Sequence, residues 1–209
     1  MRKDQIAAVL ILIIEKDGKE VVLLTKRNSK MRSHPGQICF PGGKFDESMD
    51  NNIIDTALRE AREEIGLIEC EVLHILQPCV SAHGLLVYPV LAKCLLFEPI
   101  LNPAEVELVY YFEFQLFLDP LKYDHSDWDM ATSKFYKERI KYIDLKQNTT
   151  ILRLHQFEIN TIDTVWGLTS EFALHAASFY YSRGPKFVRM SPDQTLFWWQ
   201  ITEILFTSL

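Results

Sequence analysis

Hydrophobic positions along the chain form continuous runs near the N-terminus and a periodic stripe further on. Ile6–Ile14 is apolar without interruption and reads as a buried strand, and Val21–Lys26 is a second β-rich run. Between them, Lys16-Asp17-Gly18-Lys19 carries the Asp-Gly signal of a hairpin. A polar, basic loop from Arg27 to Gly36 leads into a short strand-like piece, Gln37–Phe40, and then Pro41-Gly42-Gly43. Asp, Asn and Ser residues continue as loop to Asn52. The clearest helix follows, Ile53 to Ile65, with Gly66 as its stop.

Further strands are expected at Glu71–Leu76, Leu85–Phe97, Leu108–Phe114, Arg139–Leu145 and Thr149–Ile159. Asn102-Pro103-Ala104-Glu105 starts a turn or short helix, and Asp119–Ser133 is polar enough to be expected as an irregular, mobile insertion. Thr169–Ser182 has the apolar stripe of a helix. Ser191-Pro192-Asp193 looks like a helix start, so the last helix is expected from Pro192 to about Phe206. Strands and helices are mixed without regular alternation and without repeats. The expected class is therefore α+β, a mixed sheet packed between helices, with residues 1–209 as one domain and a helical elaboration at its C-terminal end.

Composition narrows the functions. The 209 residues carry 22 Lys plus Arg against 28 Asp plus Glu, a formal charge of −6. A chain of that balance lacks the excess cations that broad nucleic-acid binding requires. Cys39, Cys70, Cys79 and Cys94 include no CxxC pair and sit among apolar neighbours. They read first as buried reduced thiols, with a zinc site or disulfides as alternatives. The first apolar run is far short of the roughly 20 residues needed to span a bilayer, and no small-residue cleavage site follows it. The C-terminal Thr207-Ser208-Leu209 is only faintly like a peroxisomal Ser-Lys-Leu address. The expected location is the cytoplasm, with peroxisome or mitochondrion as alternatives and an N-terminal extension beyond this sequence left open. The apolar last helix is expected to pack within the chain or in a homodimer rather than in a membrane, because it carries few cations.

The middle helix holds the chemistry. Ile54, Ala57, Leu58, Ala61 and Ile65 form its apolar stripe. Glu60, Glu63 and Glu64, at i, i+3 and i+4, share a different face. Three carboxylates so placed repel one another. A hard divalent cation reverses that sign, since Mg²⁺ is held by one or two carboxylates together with substrate phosphate. A solvated acidic face is the plain alternative. Arg59 beside Glu60 is placed to brace a loop carboxylate: Asp46, Glu47 or Asp50.

The string from Gly43 through Arg59-Glu60-Ala61-Arg62-Glu63-Glu64-Ile65-Gly66-Leu67 resembles the Nudix box, G-x5-E-x7-R-E-U-x-E-E-x-G-U, with Ala61 a small occupant of an aliphatic position. Its front half departs from that pattern: Asn51 stands where the first Glu belongs, and the nearest acid is Asp50. A longer loop with Asp resembles the coenzyme A pyrophosphatase branch of that superfamily. So does Leu23-Leu24-Thr25-Lys26-Arg27-Asn28-x3-Arg32-x3-Gly36-x3-Phe40-Pro41-Gly42-Gly43, which departs from the branch signature only at Asn28, where Ser or Ala is usual. Weaker likenesses continue at Ser81-Ala82-His83-Gly84, Pro103-Ala104-Glu105-Val106 and Trp166-Gly167-Leu168-Thr169.

The resemblance implies a Nudix fold and hydrolysis of the diphosphate of coenzyme A or acyl-CoA to 3′,5′-ADP and (acyl-)4′-phosphopantetheine, with Mg²⁺ or Mn²⁺. Another nucleoside diphosphate derivative as substrate, or a non-catalytic binding module, are the competing readings. It implies Glu60, Glu63 and Glu64 as metal ligands completed by the Gly43 carbonyl, with Glu64 and Arg59 in catalytic roles. Glu105 is the candidate base outside the helix, with Glu107 behind it. Arg27, Arg32 and Gly42 are the expected substrate contacts; an ion pair with the acidic loop is the alternative for the arginines. His34 and His83 read mainly as polar loop residues. Trp166 and Trp198-Trp199 either pack or stack on a ligand.

Overall fold

The computed structural model describes residues 5–133, 151–192, 194 and 196–207. Eleven strands and three α-helices are present among them. The first hairpin is β1 (Ile6–Lys16) and β2 (Lys19–Arg27). The turn between them places Asp17 and Gly18 at φ +53° and +73°, the left-handed geometry that an Asp-Gly pair accepts. β3 (Ile38–Cys39) and β4 (Gly42–Lys44) precede α1 (Ile53–Ile65). Then follow β5 (Glu71–Ile75), β6 (Cys79–Val80), β7 (Leu86–Cys94) and β8 (Val106–Glu113).

These eight strands make one mixed sheet along the path β3-β2-β1-β7-β5, with β4 on β1, β6 on β7 and β8 on β2. The β1–β7 pair is parallel and the others are antiparallel. β1 is covered on both faces, which is why its sequence is continuously apolar rather than alternating. Leu10, Leu12 and Ile14 face α1 together with Ala57, Ala61 and Ile65. Ile11 and Ile13 face the opposite core.

That second core is roofed by β9 (Tyr123–Asp129), β10 (Ile151–Glu158) and β11 (Thr164–Trp166), a three-stranded antiparallel sheet, and by α2 (Gly167–Tyr180) and α3 (Trp198–Thr207). The architecture is α+β, a mixed sheet with α1 on one face and a small antiparallel sheet with α2 and α3 on the other.

The structure corrects four expectations. The polar stretch after Asp119 contains β9, whose backbone pairs along its length with β10 and whose Asp127 meets Arg153 Nε at 3.1 Å. Gly42–Lys44 is a strand rather than the start of a loop. The last helix begins at Trp198, not Pro192; the Ser191 hydroxyl donates to Asp127 at 3.0 Å and is not spent as a helix cap. All four cysteines are free, but only Cys79 is buried; Cys39, Cys70 and Cys94 are partly exposed. The strand expected at Arg139–Leu145 lies outside the described residues. Trp198, Ile201 and Leu205 of α3 are buried in the chain's own core. Among the described residues no helix is long and apolar enough to cross a membrane.

Candidate active site

Both ends of α1 are fixed by its own sequence. The Asn52 side chain accepts hydrogen bonds from the backbone of Ile54 at 2.8 Å and Asp55 at 3.1 Å. At the other end Gly66 adopts φ +69° and returns its N–H to the carbonyls of Ala61 and Arg62. The glutamates therefore ride on a helix with a defined register.

Arg59 ties this helix to the loop before it. Its guanidinium grips Asp50 through Nε to Oδ1 at 2.9 Å and Nη2 to Oδ2 at 3.0 Å, reaches the Lys44 carbonyl at 3.0 Å and meets Glu60 at 2.8 Å. Of the three loop acids expected to take Arg59, Asp50 is the one so held. The Arg59 guanidinium holds the Asp50 carboxyl down to about 2, against the opposing effect of burial.

Two glycines let β4 run under the helix. A Cβ on Gly42 would lie 2.4 Å from the Ala8 carbonyl oxygen and 2.7 Å from Val9 Cα, both backbone atoms. A Cβ on Gly43 would lie 2.3 Å from Glu60 Oε1. The Glu60 carboxylate thus rests directly on Gly43.

The glutamates of α1 are not a uniform acidic face. Glu63 is exposed and lies 3.4 Å from Arg59. Glu64 is 2% exposed, and its Oε2 has no hydrogen-bond partner. The alternative of a uniformly solvated acidic face does not hold for Glu64, because β4 and the Arg27 end of β2 lie over this flank of the helix. Burial pushes the Glu64 carboxyl up to about 8; Glu60 and Glu105 push the same way, and Arg27, 3.8 Å from Oε1, opposes them. Burial also raises Glu60, against the pull of Arg59.

Among the described residues no three His, Cys, Asp or Glu side chains already converge at metal-ligand spacing. The arrangement is a pair, Glu60 and Glu64, one with an unsatisfied buried oxygen. That donor set is the hard-oxygen kind a divalent cation takes when substrate phosphate completes its shell.

Asn102 links Glu105 to the helix: its backbone N–H donates to the Glu64 carbonyl at 2.9 Å and its side-chain amide to Glu105 Oε1 at 3.4 Å. Its turn is joined to the upstream loop by Asn28, whose backbone N–H donates to the Glu105 carbonyl at 2.8 Å and whose side chain donates to the Pro103 carbonyl at 2.7 Å. The one residue departing from the upstream signature is thus the link between Arg27 and Glu105. Sequence reasoning missed this role, and only the departure itself marked it. Glu107 is exposed on β8.

Arg27 pairs with Glu64 rather than with the acidic loop and also lines a cleft of about 650 Å³. Gly42, Gly43, His34 and His83 line the same cleft, while the exposed Arg32 does not. Trp166, 48% exposed, and Trp198 also line it. Trp198 is otherwise core, donating its indole N–H to the Val80 carbonyl at 2.9 Å. Trp199 stacks on Phe197 and His175.

Comparison with known proteins gives the family. Residues 4–130 match the NUDIX domain. The chain is 35% identical over 196 residues to Nudix hydrolase 22, chloroplastic, of Arabidopsis thaliana, covering 90% of this chain and 59% of that protein. It is 35% identical over 199 residues to Nudix hydrolase 15, mitochondrial, of the same plant, covering 91% and 64%. It is 32% identical over 192 residues to the peroxisomal coenzyme A diphosphatase ndx-8 of Caenorhabditis elegans, covering 88% and 72%. The chain therefore spans only about three fifths of the length of the two plant relatives. With the domain matched across more than half of its residues and the box folded onto α1, the chain belongs to the NUDIX domain family.

Proposed function

We propose that this protein hydrolyses the diphosphate of coenzyme A and acyl-CoA, releasing 3′,5′-ADP and (acyl-)4′-phosphopantetheine. The observation that carries the substrate class is the mixed lining of the cleft, polar and apolar. Arg27, Phe40, Gly42 and Gly43, fixed positions of the upstream signature, line it together with Gln37; Arg27 reaches Glu64 and Gly43 touches Glu60 at its edge. Val87, Leu154, Trp166 and Phe172 line it with apolar surface. A substrate with a charged diphosphate at one end and a long, largely uncharged arm at the other matches those two linings. The name of the nematode relative supports the same reading.

Glu60 and Glu64 would hold Mg²⁺ or Mn²⁺, with Glu63 and the Gly43 carbonyl as the remaining candidate ligands. The cation supplies charge neutralisation on the diphosphate and a more acidic bound water. Arg59 positions Glu60 and closes the loop through Asp50. Arg27 and Gly42 face the substrate from the cleft wall, and Arg32 is the outer candidate on the loop. A guanidinium matches phosphate oxygens in a bidentate way. Glu105 accepts the proton of the attacking water as its oxygen bonds to phosphorus and the bridging oxygen leaves with the other phosphate. Residues 1–209 act as one unit with a small-molecule substrate, with the cytoplasm kept as the proposed compartment.

The test is a substrate panel with Mg²⁺ or Mn²⁺: coenzyme A, acetyl-CoA, NADH, ADP-ribose and diadenosine phosphates. Hydrolysis in isotopically labelled water identifies the products and the phosphorus attacked. The expected result is highest kcat/KM on a CoA substrate, with 3′,5′-ADP formed. Better turnover of any other member of the panel overturns the substrate assignment.

A further inference from the structure

Cys70 and Cys94 lie together at the open end of the β5–β7 ladder. The antiparallel register pairs Val72 with Ala92 and Glu71 with Lys93. One further step along the same register sets Cys70 opposite Cys94, just before β5 begins and at the last residue of β7. The ladder's one irregularity falls between Val72 and His74, beyond these pairs. Alternate residues of a strand share a face. Val72, Ala92, Cys70 and Cys94 accordingly all pack against the same α1-side core cluster.

Directly opposed residues of an antiparallel pair have Cα atoms about 4.5–5.5 Å apart. Disulfides span Cα separations of about 4.4–6.8 Å. The two spans overlap, and a ladder end can close in without disturbing central pairs. Both residues are partly exposed, so an oxidant reaches them. Cys94 Sγ lies 3.4 Å from the Leu96 carbonyl oxygen and makes no covalent bond.

We propose that Cys70 and Cys94 form a dithiol modification site whose oxidant is a small-molecule disulfide such as oxidised glutathione. One protein thiolate attacks a sulfur of the oxidant, forming a protein–glutathione disulfide and releasing one glutathione thiolate. The second protein thiolate then attacks the protein sulfur of that mixed disulfide and displaces the other glutathione. Two electrons pass to the oxidant, and the protons of the two cysteines end on the two glutathione molecules. The bond ties the strand that leaves α1 to the end of the strand paired with β1. Burial, with Cys94 nearby, pushes the Cys70 thiol up, and Arg62 opposes it. Exchange is therefore faster at mildly alkaline pH.

The experiment treats the whole chain with oxidised glutathione at mildly alkaline pH, quenches by alkylation, and maps cysteines by peptide fragmentation mass spectrometry. Fragmentation is needed because Cys79 shares a tryptic peptide with Cys70. The expected product is an intramolecular Cys70–Cys94 linkage, lighter by two hydrogens than the dithiol. Cys94→Ser is expected to stop at a Cys70–glutathione disulfide, and Cys70→Ser at a Cys94–glutathione disulfide. A wild-type protein that remains reduced, stops at mixed disulfides, or links through Cys39 or Cys79 overturns the assignment.

Discussion

Arg59 and Asp50 meet fork to fork: two nitrogens of one guanidinium donate to the two oxygens of one carboxylate, at 2.9 and 3.0 Å. The Asp50 side chain is 1% exposed, and it also accepts from Thr56 Oγ1 and the backbone of Asp46. Asp50→Asn leaves the half-buried Arg59 guanidinium with Glu60 and Glu63 but without its bidentate partner, and the expected loss of stability is about 1–2 kcal/mol. The native carboxyl is held below its ordinary value, so this contribution is intact above pH 3.8 and is lost as pH falls towards 2. Urea titrations of both proteins at neutral and acidic pH check it; equal stability at neutral pH would remove Asp50 from the frame of the site.

Glu64→Gln separates stability from chemistry. The substitution removes a buried carboxylate with an unpartnered oxygen, so the metal-free protein is expected to be at least as stable as wild type. Turnover is expected to fall by at least about 100-fold, as when a group serving the transition state is lost. Thermal shift with Mg²⁺ or Mn²⁺ is expected to shrink in the variant. Unchanged turnover and unchanged metal response refute the assignment.

The adjacent glycines fail in different ways. In Gly42→Ala the new methyl meets backbone atoms of Ala8 and Val9, which cannot yield without moving β1; the expected cost is roughly 1–3 kcal/mol. In Gly43→Ala it meets the end of the Glu60 side chain, which can swing aside. The expected result is near-native stability with at least about tenfold lower kcat. Denaturation midpoints and steady-state kinetics on both variants distinguish the two outcomes.

Acid sensitivity has a second source in His155. It is 1% exposed, bonded through Nδ1 to the Tyr123 hydroxyl at 3.0 Å, and burial lowers it to about 4. The unfolded chain takes up a proton near 6.5, before the folded chain does. Stability is therefore full above that pH and declines as pH falls to about 4, by roughly 3 kcal/mol. In His155→Gln the decline across that window is expected to be shallower, as read from denaturant midpoints at closely spaced pH values.

How far the sequence discloses the molecule depends on where the information sits. The bounds of α1 are legible because Asn52 and Gly66 are local signals acting on their own helix. The paired runs of β1 and β2 are legible because continuous apolarity and Asp-Gly are local too. β9 is not, since Tyr123–Asp129 is mostly polar and its strand conformation comes from β10, which lies beyond it in the chain. The late start of α3 is hidden for the same reason: Asp127, far from Ser191 in sequence, takes the hydroxyl that a helix cap would use. At the site, the spacing of Glu60 and Glu64 suggests a cation, but not that one is sealed and the other rests on a glycine. Asn28 illustrates the limit, because a departure from a pattern says nothing of its partner until Pro103 and Glu105 are seen beside it.

The chain between β4 and α1 is anchored at both ends, by Gly43 in the sheet and by Asn52 on the helix. What lies between behaves like slack in a tether. Residues can be added there without moving Glu60 or Glu64, provided one carboxylate still reaches back to Arg59. In this protein Asp50 does so from a longer span. Loop length and helix register are thereby uncoupled.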